Sequence, residues 1–378
     1  MKNKNFKKGS LKDEKELYVT RPDLPDFGLY AEKLKQIWEN KILTNNGPLH
    51  QEFESKLKAH LGVDHLSVYS NGTIALLAAL KALDLKGKVI TTPFSFVATA
   101  HSILWNNLEP VFADIDPKTG NLDPESVKKL ITSDTSAIMP VHVYGNPCDL
   151  EAFEKIRKEY GVKLIYDAAH CFDVKLKDKS ILLEGDLSIL SFHATKAFNS
   201  IEGGAIVSKD PALIEKLNLF KNFGFRNELE IDGYGINGKL NEFQAAFGIL
   251  QLDNLSNNIQ KRKICFEYYK ELLAGVKGIE FIDFTPSYSY NYSYFPIIVK
   301  DDYKLTRDGL YDRLKAHSIF SRRYFFPLIS NLNIYKDFPS ASPELLTNAN
   351  YLGDRILTLP LYSELSREDI ERICKLVV

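Results

Sequence analysis

The sequence predicts an α/β protein with two domains: a large domain built on a mostly parallel mixed sheet covered by helices, and a smaller α+β domain at the C-terminus. Between residues 50 and 250, short apolar runs alternate with helical patterns, as expected where parallel strands are buried on both faces. After residue 250 this alternation stops. The 378 residues suffice for two domains. We predict a poorly ordered tail over residues 1–20, a large domain over 21–250 and a small domain over 251–378.

In the large domain, apolar residues at three- and four-residue spacing predict helices, and short apolar runs bounded by Pro, Asp or Gly predict strands. The predicted helices are 51–61, 73–83, 101–105, 124–131 and 150–160. The predicted strands are 89–92, 111–114, 137–143, 162–166, 187–192 and 204–207.

The C-terminal part begins with a long helical pattern over 252–274. Two strand-like runs follow, 279–284 and 288–299, the second rich in alternating tyrosine and serine. A helix over 306–316 has Thr306 as its N-cap, and Ser366 opens the last helix with a capping-box pattern.

The composition argues against several classes of partner. The formal net charge is −1, whereas proteins that bind nucleic acid or anionic membranes usually carry a basic excess. No apolar run approaches the roughly 20 residues needed to span a bilayer. The four cysteines are scattered, without metal-ligand spacing to the eight histidines. We therefore expect a cytoplasmic protein with no metal, no nucleic acid and no membrane partner.

Two polar residues at predicted strand ends carry the main functional hypothesis. Asp167 ends the run 162–166, and Lys196 lies just past the strand 187–192. Pyridoxal-phosphate chemistry needs this pair, because a lysine holds the cofactor as a Schiff base and an aspartate keeps its ring nitrogen protonated. The alternatives are a solvated surface lysine and an aspartate that caps the following helix.

Phosphate binding is predicted at two neighbouring segments. Gly72 and Thr73 open the predicted helix 73–83, where free backbone N–H groups and the helix dipole favour an anion. An ordinary N-cap at Asn71 or Thr73 explains the same residues. Ser191 lies near Lys196, and its hydroxyl is a further candidate to donate a hydrogen bond to the phosphate.

Two ring residues are candidates for contact with the cofactor. Phe94 follows a strand end, where its face could lie against a flat ring, although aromatic residues at such positions are more often part of a core. His170 lies three residues after Asp167 and could pack beside the ring, or it could be a structural histidine.

A competing motif occurs between Gly233 and Gly238, where the spacing matches GxGxxG and Asp253 follows. A dinucleotide fingerprint needs a buried strand directly before it, but the stretch 226–232 is charged. We therefore reject a nicotinamide site.

Taken in order, these motifs resemble those of the DegT-type, fold-type-I nucleotide-sugar aminotransferases over nearly the whole chain. The similar segments are 44–48, 53–54, 71–73, 93–99, 112–116, 140–145, 167–170, 191–196 and 235–246. The resemblance implies a pyridoxal 5'-phosphate enzyme with a fold-type-I large domain.

The resemblance also implies a role for each site residue. Lys196 would form the Schiff base and Asp167 would pair with the ring nitrogen. Phe94 would stack on the ring, and His170 would approach it from the side. Gly72, Thr73 and Ser191 would bind the phosphate. Asn237 would reach the phosphate of a neighbouring subunit, so that a homodimer shares each active site. His193 is a weaker candidate for contact with the sugar.

Within the family, the segments 191–196 and 235–239 are most similar to the viosamine-forming branch. That branch moves the amino group of glutamate to dTDP-4-keto-6-deoxyglucose and forms dTDP-4-amino-4,6-dideoxyglucose, a surface-polysaccharide or O-antigen sugar. Gly238 and Lys239 stand where the family more often has an aromatic residue and an arginine. Three rivals remain: a related transaminase acting at C-3 or on a GDP- or UDP-linked sugar, a family dehydratase, which has histidine in place of Lys196, and a non-catalytic sensor or regulator with the same fold.

Overall fold

The computed structural model describes residues 15–378. The helices are α1 (Phe27–Asn40), α2 (Pro48–Leu61), α3 (Gly72–Ala82), α4 (Ala98–Trp105), α5 (Pro124–Lys128), α6 (Leu150–Tyr160), α7 (Pro211–Phe220), α8 (Glu242–Leu273), α9 (Arg307–Ala316), α10 (Thr347–Arg355) and α11 (Arg367–Val377). The strands are β1 (Leu17–Tyr18), β2 (Leu66–Tyr69), β3 (Lys88–Thr91), β4 (Glu109–Phe112), β5 (Thr135–Met139), β6 (Lys163–Asp167), β7 (Lys175–Leu176), β8 (Lys179–Ser180), β9 (Leu187–Ser191), β10 (Gly204–Val207), β11 (Ile279–Phe281), β12 (Tyr288–Ser289), β13 (Phe295–Val299), β14 (Ile319–Phe320) and β15 (Ile356–Leu359).

A seven-stranded sheet in the order β2-β10-β9-β6-β5-β3-β4 forms the centre of the large domain. Its ladders are parallel except at β10, which runs antiparallel to both of its neighbours. Successive residues of β6 are buried on opposite faces: Ile165 packs with residues of α3 and α7, and Tyr166 packs with residues of α6. The predicted fold class, a mostly parallel mixed sheet covered by helices, is therefore confirmed.

The C-terminal part is built on a three-stranded antiparallel sheet in the order β11-β13-β15. Helices α9 and α11 pack on it and share its core with the C-terminal half of α8. The predicted strand over 288–299 is wrong, because β12 and β13 belong to different sheets. Tyr292 lies between them with a φ of 50°, a left-handed conformation that interrupts the extended chain.

Helix α8 connects the two parts of the molecule and runs through the predicted boundary between residues 250 and 251. It begins ten residues before the predicted start at 252, because the Asn241 side chain accepts a hydrogen bond from the backbone N–H of Gln244 at 3.0 Å. Near its middle, buried Arg262 donates to Asp23 at 3.3 Å and to the carbonyl of Leu361 at 3.4 Å. The helix thus ties the chain start to the C-terminal part.

The predicted tail over residues 1–20 is corrected from residue 15 onward, and residues 1–14 lie outside the described part of the chain. Strand β1 pairs in parallel with β14, and Leu17 is fully buried in the C-terminal core. The burial of Leu17 in that core fixes this segment. The charged residues around Leu17 favoured a disordered tail when the sequence was considered alone.

Within residues 15–378, no helix combines the length and the apolar character that crossing a bilayer requires. The same residues contain no cluster of three or more His, Cys, Asp or Glu side chains able to hold a metal ion.

Candidate active site

A cavity of about 540 Å³ opens beyond the carboxyl ends of β6 and β9, where ligands of open α/β sheets bind. One side is lined by polar groups from the large domain, which include the start of α3, the end of β6 and the segment after β9. Another side consists of aromatic residues, chiefly from the C-terminal part. The cavity is lined by seven of the nine predicted site residues: Gly72, Thr73, Asp167, His170, Ser191, His193 and Lys196.

Lys196 lies in a turn whose backbone N–H donates to the carbonyl of His193 at 2.9 Å. The residue as a whole is half-buried because it borders the cavity, but the surrounding protein desolvates its amine. This burial lowers the pKa of Lys196 to about 8, although the negative charge of Asp167 acts in the opposite direction. A neutral, nucleophilic amine is therefore accessible near neutral pH.

Asp167 ends β6 and is only 4% exposed. One carboxylate oxygen accepts from the hydroxyl of Thr99 at 2.8 Å, and the other accepts from the backbone N–H of Ala169 at 3.2 Å. Burial raises the pKa of Asp167, whereas these hydrogen bonds and the Lys196 amine oppose that rise. A buried carboxylate in this position suits a cationic N–H partner such as a protonated pyridine ring.

The start of α3 forms an anion-binding cradle. Asn71 is the N-cap, since its side chain accepts from the N–H of Ile74 at 2.8 Å. In the part of the chain that the structure describes, the N–H groups of Gly72 and Thr73 have no acceptor. A Cβ atom at Gly72 would lie 2.9 Å from the Cβ of Ser191, so only glycine permits this close approach. Free amides, a helix dipole and the hydroxyl of Ser191 fit a phosphate group.

The two cavity histidines differ in their surroundings. His170 is buried, and its Nδ1 accepts from the backbone N–H of Tyr144 at 3.2 Å. Burial holds the pKa of His170 well below its usual value, so the ring is neutral with its proton on Nε2. His193 lies at the rim, where Thr195 contacts its Nδ1 and Oε1 of Glu202 lies 3.5 Å from its Nε2.

Two predicted site residues do not line the cavity. Phe94 is fully buried in a core, where it packs edge-on against Tyr144 and Phe325 at ring-centroid distances of 6.3 and 5.7 Å. The prediction that Phe94 faces the cofactor is therefore wrong. Phe96, which is 61% exposed, lines the cavity instead. Asn237 is exposed on a loop outside this chain's own cavity.

Sequence reasoning also missed several cavity residues. Thr99 supports the Asp167 carboxylate, and Glu202 borders His193. Tyr294, Tyr324 and Phe325 supply the aromatic side. The segment 94–96, Phe-Ser-Phe, indicated that an aromatic ring contacts the cofactor but not which of its two rings does so. Tyr294 and Tyr324 carry no local signal, because they lie far from the strand-end motifs in sequence.

A lysine of low pKa, a buried carboxylate and a phosphate cradle at the carboxyl edge of this sheet define a pyridoxal-phosphate-dependent enzyme. The chain belongs to the DegT/DnrJ/EryC1/StrS aminotransferase family, whose model matches residues 29–378. It is a transaminase, and its cofactor is pyridoxal phosphate.

Similar proteins cover almost the whole chain. The sequence is 46% identical over 369 residues to a dTDP-4-amino-4,6-dideoxy-D-glucose transaminase of Escherichia coli, covering 97% of this chain and 99% of the relative. A Shigella dysenteriae protein of the same name is 47% identical over 360 residues, covering 95% and 98%. Among solved structures, DesI in the presence of its TDP-sugar product has a TM-score of 0.91 at 35% identity, covering 96% of this chain and 92% of that one. Helicobacter pylori PseC, an aminotransferase involved in the biosynthesis of pseudoaminic acid, has a TM-score of 0.89 at 27% identity, covering 96% and 98%.

Proposed function

We propose that this transaminase moves the amino group of glutamate to C-4 of dTDP-4-keto-6-deoxyglucose and forms dTDP-4-amino-4,6-dideoxyglucose. The observation that carries the proposal is the identity of 46–47% over nearly the full length to two transaminases named for this product. The GDP-perosamine synthases among the relatives are 28–29% identical and so support a GDP-linked substrate less well.

Each cavity residue would have its own role in the proposed reaction. When bound, pyridoxal phosphate would supply an aldehyde carbon that takes up and releases the amino group, and a ring that accepts electrons. Lys196 would hold the cofactor and, once released, move a proton between the amino-bearing carbon of the substrate and the cofactor. Asp167 would keep the ring nitrogen protonated. Gly72, Thr73 and Ser191 would anchor the phosphate, and neutral His170 would lie beside the ring without adding charge.

We also propose that the active enzyme is a homodimer in which Asn237 of each chain completes the cavity of the other. Several large apolar side chains are exposed on helix α1 and on the loop that precedes Asn237. They are Phe27, Leu29 and Trp38 on the helix, and Phe223, Phe225, Leu229, Ile231 and Tyr234 on the loop. Large apolar side chains that are exposed together on two segments are typical of a protein interface. A second copy of the chain would cover it and bring Asn237 to a phosphate site.

A spectroscopic assay tests the reaction. Purified holoenzyme should change its visible absorption when glutamate is added, and a keto-sugar should restore the original spectrum. Parallel titrations with dTDP-, GDP- and UDP-linked 4-keto sugars and with a 3-keto sugar compare the rival substrates. We expect the dTDP-linked 4-keto sugar to react fastest. Faster recovery with another sugar would redirect the assignment, and a spectrum that ignores glutamate would favour a non-catalytic regulator.

Mixed dimers test the shared site. Lys196→Ala and Asn237→Ala should each inactivate the homodimer. In the mixed dimer one cavity combines an intact Lys196 with an intact partner Asn237, so about half of the wild-type activity per dimer should return. If mixing restores nothing although heterodimers form, Asn237 does not act across an interface.

The compartment proposed for the enzyme is the cytoplasm. All four cysteines, Cys148, Cys171, Cys265 and Cys374, are buried free thiols. Unpaired cysteines are typical of proteins kept in a reducing environment.

A further inference from the structure

The aromatic side of the cavity contains a hydroxyl group without a function in the scheme above. Tyr294 lies just before β13 and is 4% exposed. Its ring packs edge-on against His170 at a centroid distance of 5.0 Å and against Tyr324 at 5.7 Å. Both neighbours also line the cavity, so the tyrosine is fixed in the wall by contacts on two sides.

Other deeply buried tyrosines satisfy their hydroxyl groups within the protein. Tyr69 donates to the carbonyl of Leu217 at 2.8 Å, Tyr269 donates to that of Pro360 at 2.9 Å, and Tyr144 donates to that of Tyr324. Among the described residues the hydroxyl of Tyr294 has no hydrogen-bond partner. The hydroxyl of Tyr166 also lacks a partner, but it is fully buried, whereas Tyr294 lines the cavity. A polar group held at a cavity surface without a partner is suited to a ligand.

We propose that Tyr294 binds the substrate by donating a hydrogen bond from its hydroxyl to an oxygen substituent of the hexose ring. This inference rests on the proposed function, and it assigns the aromatic side of the cavity to the sugar. Burial raises the pKa of Tyr294 to about 12, so its hydroxyl remains protonated and able to donate throughout the neutral range.

The surroundings of Tyr294 favour the sugar over glutamate. Glutamate carries two carboxylates, and carboxylates are usually bound by cations or by groups of backbone N–H donors. In the cavity, Tyr294 contacts the aromatic ring of Tyr324 and the neutral ring of His170, and Phe325 stacks on the same histidine. The positive charge of Arg262 also acts on Tyr294, but that guanidinium is paired with Asp23 and does not line the cavity. A neutral hexose presents apolar C–H faces that pack on such rings, and hydroxyl groups that accept from a neutral donor.

The test compares Tyr294→Phe with the wild type, because this change removes only the hydroxyl. Its control is Tyr290→Phe in the same tyrosine-rich segment: the Tyr290 hydroxyl donates to the carbonyl of Thr285 at 2.7 Å, and the residue does not line the cavity. Calorimetry measures the Kd of the dTDP-linked amino-sugar product, and stopped-flow absorption measures the glutamate and keto-sugar half-reactions separately.

We expect Tyr294→Phe to weaken product binding and to lower kcat/KM of the keto-sugar half-reaction by about tenfold, as for the loss of one neutral hydrogen bond. The glutamate half-reaction should change less than twofold, and Tyr290→Phe should change neither. Equal losses in both half-reactions, or an unchanged sugar half-reaction, would overturn the proposal.

A second measurement uses deoxy analogues of the product, each lacking one ring hydroxyl. The Kd of each analogue is measured for both the wild type and Tyr294→Phe. One analogue should bind Tyr294→Phe and the wild type equally, since both complexes then lack the same hydrogen bond. If every analogue shows the full difference, the Tyr294 hydroxyl does not contact a ring hydroxyl. A wild type that reacts with glutamate but with no dTDP-linked 4-keto sugar contradicts the proposed substrate instead, and the two failures are therefore distinguishable.

Discussion

The two sides of the cavity are built in different ways. The polar side takes its residues from the carboxyl edge of one rigid sheet and the start of α3, where Asp167, Lys196 and Gly72 follow directly from strand ends or open a helix. The aromatic side takes Tyr294 and Tyr324 from the C-terminal part, more than 90 residues further along the chain than Lys196. In our interpretation the sheet edge holds the cofactor chemistry, and the C-terminal part holds the contacts that select the sugar.

The largest effect should come from Lys196→Ala on the polar side. Without the amine the cofactor is no longer attached covalently and the group that moves the proton is lost, so kcat of the overall transamination should fall by about 10⁴-fold or more. The measurement is the absorption change on addition of glutamate, followed by product formation.

Lys221→Met is the matched control for that variant. Lys221 is also buried, and burial lowers its pKa to about 8 as well, but it lies beside Glu54 at 3.9 Å and outside the cavity. The Lys221→Met variant should keep its transaminase activity even if its stability falls. Equal loss of activity in both variants would mean that low lysine pKa values do not separate the catalytic amine from a structural one.

Asp167→Asn should have the next largest effect. The amide keeps the shape of the side chain but lacks the negative charge that holds a proton on the pyridine nitrogen. We expect kcat/KM of each half-reaction to fall by about 10²–10³-fold, as when a preorganised electrostatic contact is removed, while the cofactor stays bound. Stopped-flow absorption measures this loss.

Asp114→Asn serves as its control, because Asp114 is also buried but accepts from the backbone N–H groups of Asn348 and Ala349 at the start of α10. The Asp114→Asn change should lower Tm and leave both half-reaction rates within about twofold of the wild-type rates. A normal rate in Asp167→Asn would show that the ring nitrogen does not depend on this carboxylate.

The sequence predicted the polar side well and the aromatic side poorly, for a physical reason. Strand ends and helix starts are encoded locally, so Asp167, Lys196 and the Gly72–Thr73 cradle could be placed from short patterns. A ring's direction within Phe-Ser-Phe, or the arrival of Tyr294 beside His170, depends on how the C-terminal part packs against the sheet. The same limit applies to Leu17, whose burial requires β14, about 300 residues further along the chain.

Phe94 and Phe96 provide a direct comparison of the core with the cavity surface. Phe96→Ala removes an exposed ring next to the cofactor site, so the affinity for pyridoxal phosphate should fall by up to about tenfold with little change in Tm. Phe94→Leu leaves a void in the core and should cost about 1–3 kcal/mol of unfolding free energy, with the cofactor affinity unchanged. Cofactor titration and chemical denaturation measure the two quantities. The reverse pattern would place Phe94, and not Phe96, against the cofactor.

The smallest effect is the pH dependence of cofactor loading. The neutral form of Lys196 attacks the cofactor aldehyde, and with a pKa of about 8 its neutral fraction is about 0.1 at pH 7, 0.5 at pH 8 and 0.9 at pH 9. The rate at which the apoenzyme binds pyridoxal phosphate covalently should therefore rise about fivefold from pH 7 to pH 8 and less than twofold from pH 8 to pH 9. A lysine derivative in solution, whose pKa is near 10.4, should instead gain nearly tenfold in each interval. Because the same aldehyde reacts in both series, their ratio isolates the amine. If the enzyme gained tenfold per pH unit up to pH 9, the amine of Lys196 would have an ordinary pKa, and burial at the sheet edge would not be what prepares it for reaction.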